Sequence, residues 1–323
     1  MDAKGRIRWG ILGTANIARA SFLPGLAEAG GGVAAAVAGR ERARAEAYAA
    51  ENGVERAVEG YERLLGDRDI DAVYVALPNS LHAEWTLRAL EAGKAVMTEK
   101  PLCTSAAETA TVLAAAREPG RLLWEAFVFP FHPQYARLTA LLADGAVGEV
   151  REIQAFFSFR VRSPENIRLR PELAGGALND VGCYPVHLAC LLYGGGPERV
   201  RTSVRMAESG VDMETSGLMD FPRGRRLYFG CGMDLGPDTF GRVLGTEGEI
   251  RLSNPYHPRP EDTLELHRPD RTIVIERPTQ HERSFSPAIR HIHEVLRGAR
   301  PPAHLAVDEA MATARALEAA RKA

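Results

Sequence analysis

The sequence predicts an α/β domain on a parallel sheet, followed by an α+β domain with a mostly antiparallel sheet. Three observations carry this. Over the first 125 residues short apolar runs alternate with amphipathic stretches, the order that calls for a parallel sheet covered by helices. One of those runs, "DAVYVALP", is apolar throughout, as a strand buried on both faces should be. Beyond residue 143 the alternation gives way to strands joined by turns. A chain of 323 residues has room for two such cores, and the expected division is 1–125 and 126–323.

The elements follow in order. Strands are expected at Ile7–Leu12, Val33–Ala38, Ala72–Leu77, Ala95–Thr98 and Leu122–Phe127. Helical spacing covers Asn16–Glu28, Ala43–Asn52, Ala83–Ala92 and Ser105–Arg117. A helix over Pro133–Ala143 opens the second part. There "EVREIQAFFSFRV", "ERVRTSVRM", "SGLMDF", "RRLYFGCGM", "GEIRL", "TLELH" and "TIVIE" read as strands. A helix near Tyr184–Tyr193, ended by Gly194-Gly195-Gly196, interrupts them. Pro287–Leu296 and Val307–Lys322 close the chain as helices, and the last could pack back on the first domain.

Forty basic and 42 acidic residues leave a net charge of −2, so no strong field favours nucleic acid or a membrane surface. A small substrate is expected. Cys103, Cys183, Cys190 and Cys231 are scattered, with neither a C-x-x-C pair nor a nearby His at zinc-ligand spacing; no metal site is expected. This usage, with no apolar leader in "MDAKGRIRWGILG" and no run of membrane-spanning length, predicts a cytoplasmic protein.

"WGILGTANIARA" places Gly13, Thr14, Ala15, Asn16, Ile17 and Ala18 where the first strand meets the first helix. The pattern is G-x-A-x-x-A, with alanine at two of the three positions of the dinucleotide fingerprint. Alone it is weak; its place at the first strand and a helix N-terminus strengthens it. The second strand ends in Gly39-Arg40, with Arg42 and Arg44 close behind, where an NAD enzyme typically carries Asp or Glu for the ribose hydroxyls. A small residue followed by arginine suits a 2′-phosphate, so NADP(H) is the expected cofactor. The alternative is that the arginines solvate a helix start. Leu77, Pro78, Asn79 and His82 follow the next strand, and Glu99-Lys100-Pro101 ends the one after it. Such strand ends line the cofactor crevice of an open parallel sheet.

"GGALNDVGCYPVHL" spaces Asp180, Tyr184 and His187 at i, i+4 and i+7. Pro185 is tolerated in a first turn, so a helix is expected to start near Gly182, with Asp180 just ahead of it. All three side chains can then face one way. Each also has a plain structural explanation: Asp180 as a helix cap, Tyr184 and His187 as satisfied core residues. Trp124, Phe127, His132, Arg160 and Arg168 are further candidates for lining a polyhydroxylated substrate.

Together, "GILGTANIA", "PNSLH", "EKPL" and "GGALNDVGCYPVH" resemble the glucose–fructose oxidoreductase / inositol dehydrogenase / rhizopine-catabolism (Gfo/Idh/MocA) family. The resemblance covers essentially the whole chain. It implies an N-terminal Rossmann domain and a C-terminal domain with a large open sheet, through which members commonly form a homodimer or homotetramer. It implies hydride transfer between a nicotinamide cofactor and a sugar or polyol, free or nucleotide-linked. Lys100 matches the lysine beside the reacting oxygen, Asp180 an aspartate that positions substrate, and Tyr184 or His187 the proton donor, Tyr184 being preferred. "ENIRLRPELAGGAL" resembles the sugar and diol dehydrogenase branch. "EAFVFPFHPQ" departs from it, because Pro130 stands where an arginine is common. Two other readings stay open: a non-catalytic cofactor-binding regulator, and an enzyme of a non-sugar diol.

Overall fold

A computed structural model describes residues 1, 5–277 and 282–323. In chain order the elements are β1 (Ile7–Leu12), α1 (Leu23–Ala29), β2 (Gly32–Gly39), α2 (Arg42–Asn52), β3 (Ala57–Glu59), α3 (Tyr61–Leu65), β4 (Ala72–Val75), α4 (His82–Glu91), β5 (Ala95–Thr98), α5 (Ala106–Ala116) and β6 (Leu123–Glu125). They continue with α6 (Pro133–Ala143), β7 (Val150–Arg160), α7 (Cys183–Tyr193), β8 (Arg199–Met206), β9 (Asp212–Phe221), β10 (Arg225–Gly232), β11 (Asp234–Gly245) and β12 (Gly248–Leu252). The chain ends with β13 (Leu264–His267), β14 (Ile273–Glu276), α8 (Phe285–Leu296) and α9 (Ala306–Lys322).

The chain divides into two compact units, one of Met1–Cys103, Ala107–Val128 and Glu282–Asp308, the other of Thr104–Ala106, Phe129–His281 and Glu309–Ala323. In the first unit six parallel strands run in the order β3-β2-β1-β4-β5-β6. The order reverses at β1, which sits between β2 and β4, and that is where a doubly wound sheet opens a ligand crevice. The helix returning to this unit is α8, whereas residues 309–323 of α9 belong to the other. A Cβ on Gly25 of α1 would stand 2.7 Å from that of Phe285, so glycine permits this close α1–α8 approach. Phe22 stacks on Tyr74 at 4.1 Å and meets Trp9 edge-on at 5.2 Å. Such pairs contribute about 0.5–1.5 kcal/mol each beyond their buried area.

In the second unit eight strands run β14-β13-β12-β11-β7-β10-β9-β8, antiparallel except for the parallel β7–β10 pair. The alternation is that of a sheet covered on one side. Ile153, Met219, Leu227, Val243 and Ile250 are all buried, while Tyr228, Phe240, Ile273 and Ile275, on the opposite face, are exposed.

Three elements were not expected: β3, the five-residue helix α3 and β11. β3 is three residues long, too short to show a pattern. β11 hides behind Gly236-Pro237, and the structure accommodates that proline in a register break between Asp234 and Asp238.

Candidate active site

In the first unit the site residues gather at the carboxyl ends of β1, β2, β4 and β5. Gly13 turns the chain out of β1 at φ +98, and its N–H donates to Ala38 O at 2.9 Å. A Cβ there would lie 2.6 Å from Ala76 O and 3.0 Å from Leu77 Cδ2. Only glycine fits. A helical run starts at Asn16 and passes through a wide π turn, Ala18–Phe22, before α1, and Ala18 is fully buried against the sheet. Ala15 O accepts from the Tyr48 hydroxyl at 3.1 Å. The turn is thus fixed from both sides, and its backbone is open to close approach by a pyrophosphate.

Gly39 ends β2, where a Cβ would press on Ala45 at 3.2 Å. Arg42 turns away to Glu46 at 2.8 Å. Arg40 and Arg44 are exposed, have no hydrogen-bond or ion-pair partner among the described residues, and both act on the Tyr61 hydroxyl. Burial pushes the pKa of Tyr61 up and the charges of Arg40 and Arg44 pull it down. Among the described residues no carboxylate pairs with them.

The turn carrying Lys100 is held from several directions. Glu99 N donates to Val75 O at 3.0 Å, and the Glu99 carboxylate accepts from the buried Tyr74 hydroxyl. Leu102 N donates to Glu125 Oε1 at 2.7 Å, and the Lys100–Pro101 peptide is cis. His82 is 0% exposed, its ring nitrogens each 2.8 Å from a carbonyl, Pro101 O and Leu77 O. It therefore braces the β4 and β5 ends against each other, where the sequence suggested direct cofactor contact. Burial chiefly, then the charge of Lys100, push the pKa of His82 down. Glu99 is a second brace, its carboxylate accepting from the Tyr74 hydroxyl. Trp124 is 1% exposed and donates to Ala303 O at 3.0 Å, which makes it a core anchor instead of a substrate contact. Phe127 is buried as well.

In the second unit Asp180 and Arg168 come together, Arg168 Nε donating to Asp180 Oδ2 at 2.6 Å. Asp180 lies inside a π turn, Leu178–Gly182, that runs directly into α7, so it is not ahead of the helix as expected. The carboxylate serving the helix start is Asp212, whose Oδ2 accepts from Leu178 N at 2.6 Å and Thr215 Oγ1 at 2.9 Å. Gly175 is pressed against the Arg168 loop, where a Cβ would lie 2.3 Å from Arg168 O.

The Tyr184 hydroxyl lies 3.1 Å from His257 Nε2, within an aromatic setting of Phe157 at 5.3 Å and Tyr256 at 5.2 Å. His187 is 2% exposed, its Nδ1 is 2.9 Å from Thr313 Oγ1 and its Nε2 4.0 Å from Glu309 Oε2, both on α9. His132, a candidate substrate contact in the sequence, caps α6, its Nδ1 accepting from Gln134 N at 3.1 Å. Arg160 is exposed at the end of β7, opposite Asp234. Sequence reasoning missed His257 and Asp212. Only "NPYHP", a histidine between prolines in a loop, hinted at the first.

Among the described residues no group of His, Cys, Asp and Glu could hold a metal, and no helix is long and apolar enough to cross a membrane. Residues 7–127 match the model of the oxidoreductase family with an NAD-binding Rossmann fold, GFO_IDH_MocA, and 135–251 match the GFO/IDH/MocA C-terminal domain. The chain is 42% identical over 285 residues to a dTDP-3,4-didehydro-2,6-dideoxy-alpha-D-glucose 3-reductase from Streptomyces violaceoruber, covering 87% of this chain and 81% of the relative. It is 38% identical over 295 residues to a D-xylose 1-dehydrogenase (NADP(+)) from Haloferax volcanii, covering 90% and 88%. A 3-ketoreductase from Actinomadura kijaniata, solved with NADP and TDP-benzene, superposes with a TM-score of 0.88 at 31% identity, covering 98% and 97%. That reductase was also solved with a tyrosine replaced by phenylalanine and with a lysine replaced by alanine. The chain therefore belongs to the GFO/IDH/MocA family and is an oxidoreductase.

Proposed function

We propose that this oxidoreductase uses NADP(H) and acts on a sugar, with the ketone of a nucleotide-linked deoxysugar as its substrate class. The observation that carries the cofactor is the pair Arg40 and Arg44, without a hydrogen-bond or ion-pair partner among the described residues, at a β2 end where Gly39-Arg40 stands in place of the usual carboxylate. Gly13 and the helix start at Asn16 would hold the pyrophosphate, and Arg40 with Arg44 the 2′-phosphate. When bound, the nicotinamide supplies or accepts hydride. The substrate class rests on the two 3-reductase relatives, and the xylose dehydrogenase supports a free aldose as the second reading.

Lys100 supplies positive charge to the oxygen that becomes negative during reduction, and Tyr184 supplies its proton. Tyr184 is preferred to His187 because its hydroxyl is already hydrogen-bonded to a partly exposed imidazole. Asp180, oriented by Arg168, accepts from sugar hydroxyls. The exposed Tyr228, Phe240, Ile273 and Ile275 support homo-oligomerisation through the outer face of the large sheet.

Lys100→Ala and Tyr184→Phe test the assignment. Each should lower kcat by roughly a hundredfold or more, with NADPH affinity nearly unchanged for Tyr184→Phe. Native turnover in either variant would remove that residue from the chemistry.

A further inference from the structure

Tyr184 is 5% exposed and enclosed by Phe157 and Tyr256, yet a tyrosine that gives up a proton each cycle needs a route for its return. The structure supplies one partner of the right chemistry. His257 Nε2 lies 3.1 Å from the Tyr184 oxygen, and its ring is partly exposed. The histidine is also held in place. His257 N donates to Asn254 Oδ1 at 3.0 Å and His257 O accepts from Asn254 Nδ2 at 2.7 Å. Asn254 O in turn accepts from Gln134 Nε2 at 2.9 Å, which ties the loop to α6. Phe157 meets the His257 ring edge-on at 6.2 Å, and the Tyr184 ring does so at 5.3 Å. A clamped imidazole with one nitrogen on a buried phenol and an edge toward solvent has the geometry of a proton relay.

We propose that His257 relays the proton that Tyr184 delivers, a role that rests on Tyr184 being the donor. In reduction the substrate carbon gains hydride and its oxygen takes the Tyr184 proton. The phenolate then takes a proton from the Nε2–H of the His257 imidazolium, and the neutral ring is reprotonated by water. The sum is one hydride from NADPH and one proton from solvent for each ketone reduced. Oxidation runs the same steps backwards. His257 is a positioning and relay residue, because it reaches the substrate only through Tyr184. Among the described residues the titratable group hydrogen-bonded to it is the Tyr184 hydroxyl, on whose ring Tyr256 packs; Arg259 and Asp262, joined by a 2.7 Å bond from Arg259 N to Asp262 Oδ2, are charges on its own loop.

The experiment compares His257→Asn, His257→Ala and Tyr184→Phe in the full-length, NADP-loaded enzyme, with melting temperature checked for each. Asparagine can still hydrogen-bond Tyr184 but cannot relay a proton. The expected result is a kcat lowered about tenfold or more in both His257 variants. KM and NADPH affinity should stay near native, the histidine limb of the kcat–pH profile should vanish, and added imidazole should restore kcat saturably in His257→Ala. Native kcat and pH profile in His257→Asn, with Tyr184→Phe inactive, would overturn the relay and leave the proposed function standing. Native kcat in Tyr184→Phe would overturn both. A readout without turnover is the ring-nitrogen NMR titration of His257: its midpoint should move in Tyr184→Phe, and an unmoved midpoint would contradict the coupling.

Discussion

Arg168 Nε donates to Asp180 Oδ2 at 2.6 Å, joining a 3₁₀ turn to the π turn ahead of α7. Asp180 is the more sheltered partner, with its side chain 13% exposed against 38% for Arg168. An ion pair this open contributes no more than about 1 kcal/mol to folding. Its proposed use is orientation, since the bond fixes the rotamer of the Asp180 carboxylate. Arg168→Met should therefore leave the melting temperature nearly native while raising sugar KM roughly tenfold, the worth of one charge-assisted hydrogen bond. Steady-state kinetics beside a thermal melt separates the two effects.

The cradle at Gly13 leads to a second expectation. Gly13→Ala places a methyl against Ala76 O at a φ of +98, which costs about 1–3 kcal/mol of strain or shifts the turn. NADPH binding, followed by fluorescence, should weaken at least about tenfold, and the melting temperature should fall.

Arg40→Ser should discriminate between cofactors. Loss of a charge-assisted contact to the 2′-phosphate is worth about 1.5–3 kcal/mol, or roughly ten- to a hundredfold in Kd. NADH has no such phosphate, so its affinity should be unchanged. Equal losses for both cofactors would place Arg40 outside the 2′-phosphate site.

His293 sets an acid limit on stability. Trp9 Nε1 donates to its Nε2 at 2.9 Å, and its Nδ1–H donates to Gly30 O at 2.8 Å, an arrangement that only the neutral ring satisfies. Burial lowers its pKa to about 4 from the usual 6.5. Between those values the unfolded chain binds a proton that the folded one refuses, so stability is full above pH 6.5 and declines as the pH falls toward 4. The loss amounts to about 3 kcal/mol. Denaturant titrations across this range should show it, and His293→Gln should flatten the dependence.

Much of this was legible in the sequence because it depended on neighbours in the chain. β1, β5 and α6 appear at their expected bounds, since continuous apolar runs and helical spacing are local signals. The Gly13 turn, the Gly39-Arg40 strand end and the Lys100 turn were readable for the same reason. What could not be read depended on distant partners. Trp124 is a core anchor because Ala303, 179 residues away, accepts its indole N–H. Asp212, 34 residues from Leu178, does the capping that Asp180 appeared suited to do. β11 was masked by a proline that the fold tolerates at a bulge. His257 meets Tyr184 across 73 residues, with no motif to announce it.

The proposed activity is NADP(H)-dependent hydride transfer to a sugar ketone. Its most direct test follows nicotinamide absorbance while the purified protein meets nucleotide-linked 3-ketosugars and 4-ketosugars and, in parallel, free aldoses, with NADPH or NADH for reduction and NADP or NAD for oxidation. Turnover of a nucleotide-linked ketosugar with NADPH, and much slower turnover with NADH, is the expected result. Turnover that prefers NADH, or none with any sugar despite tight NADPH binding, would contradict it.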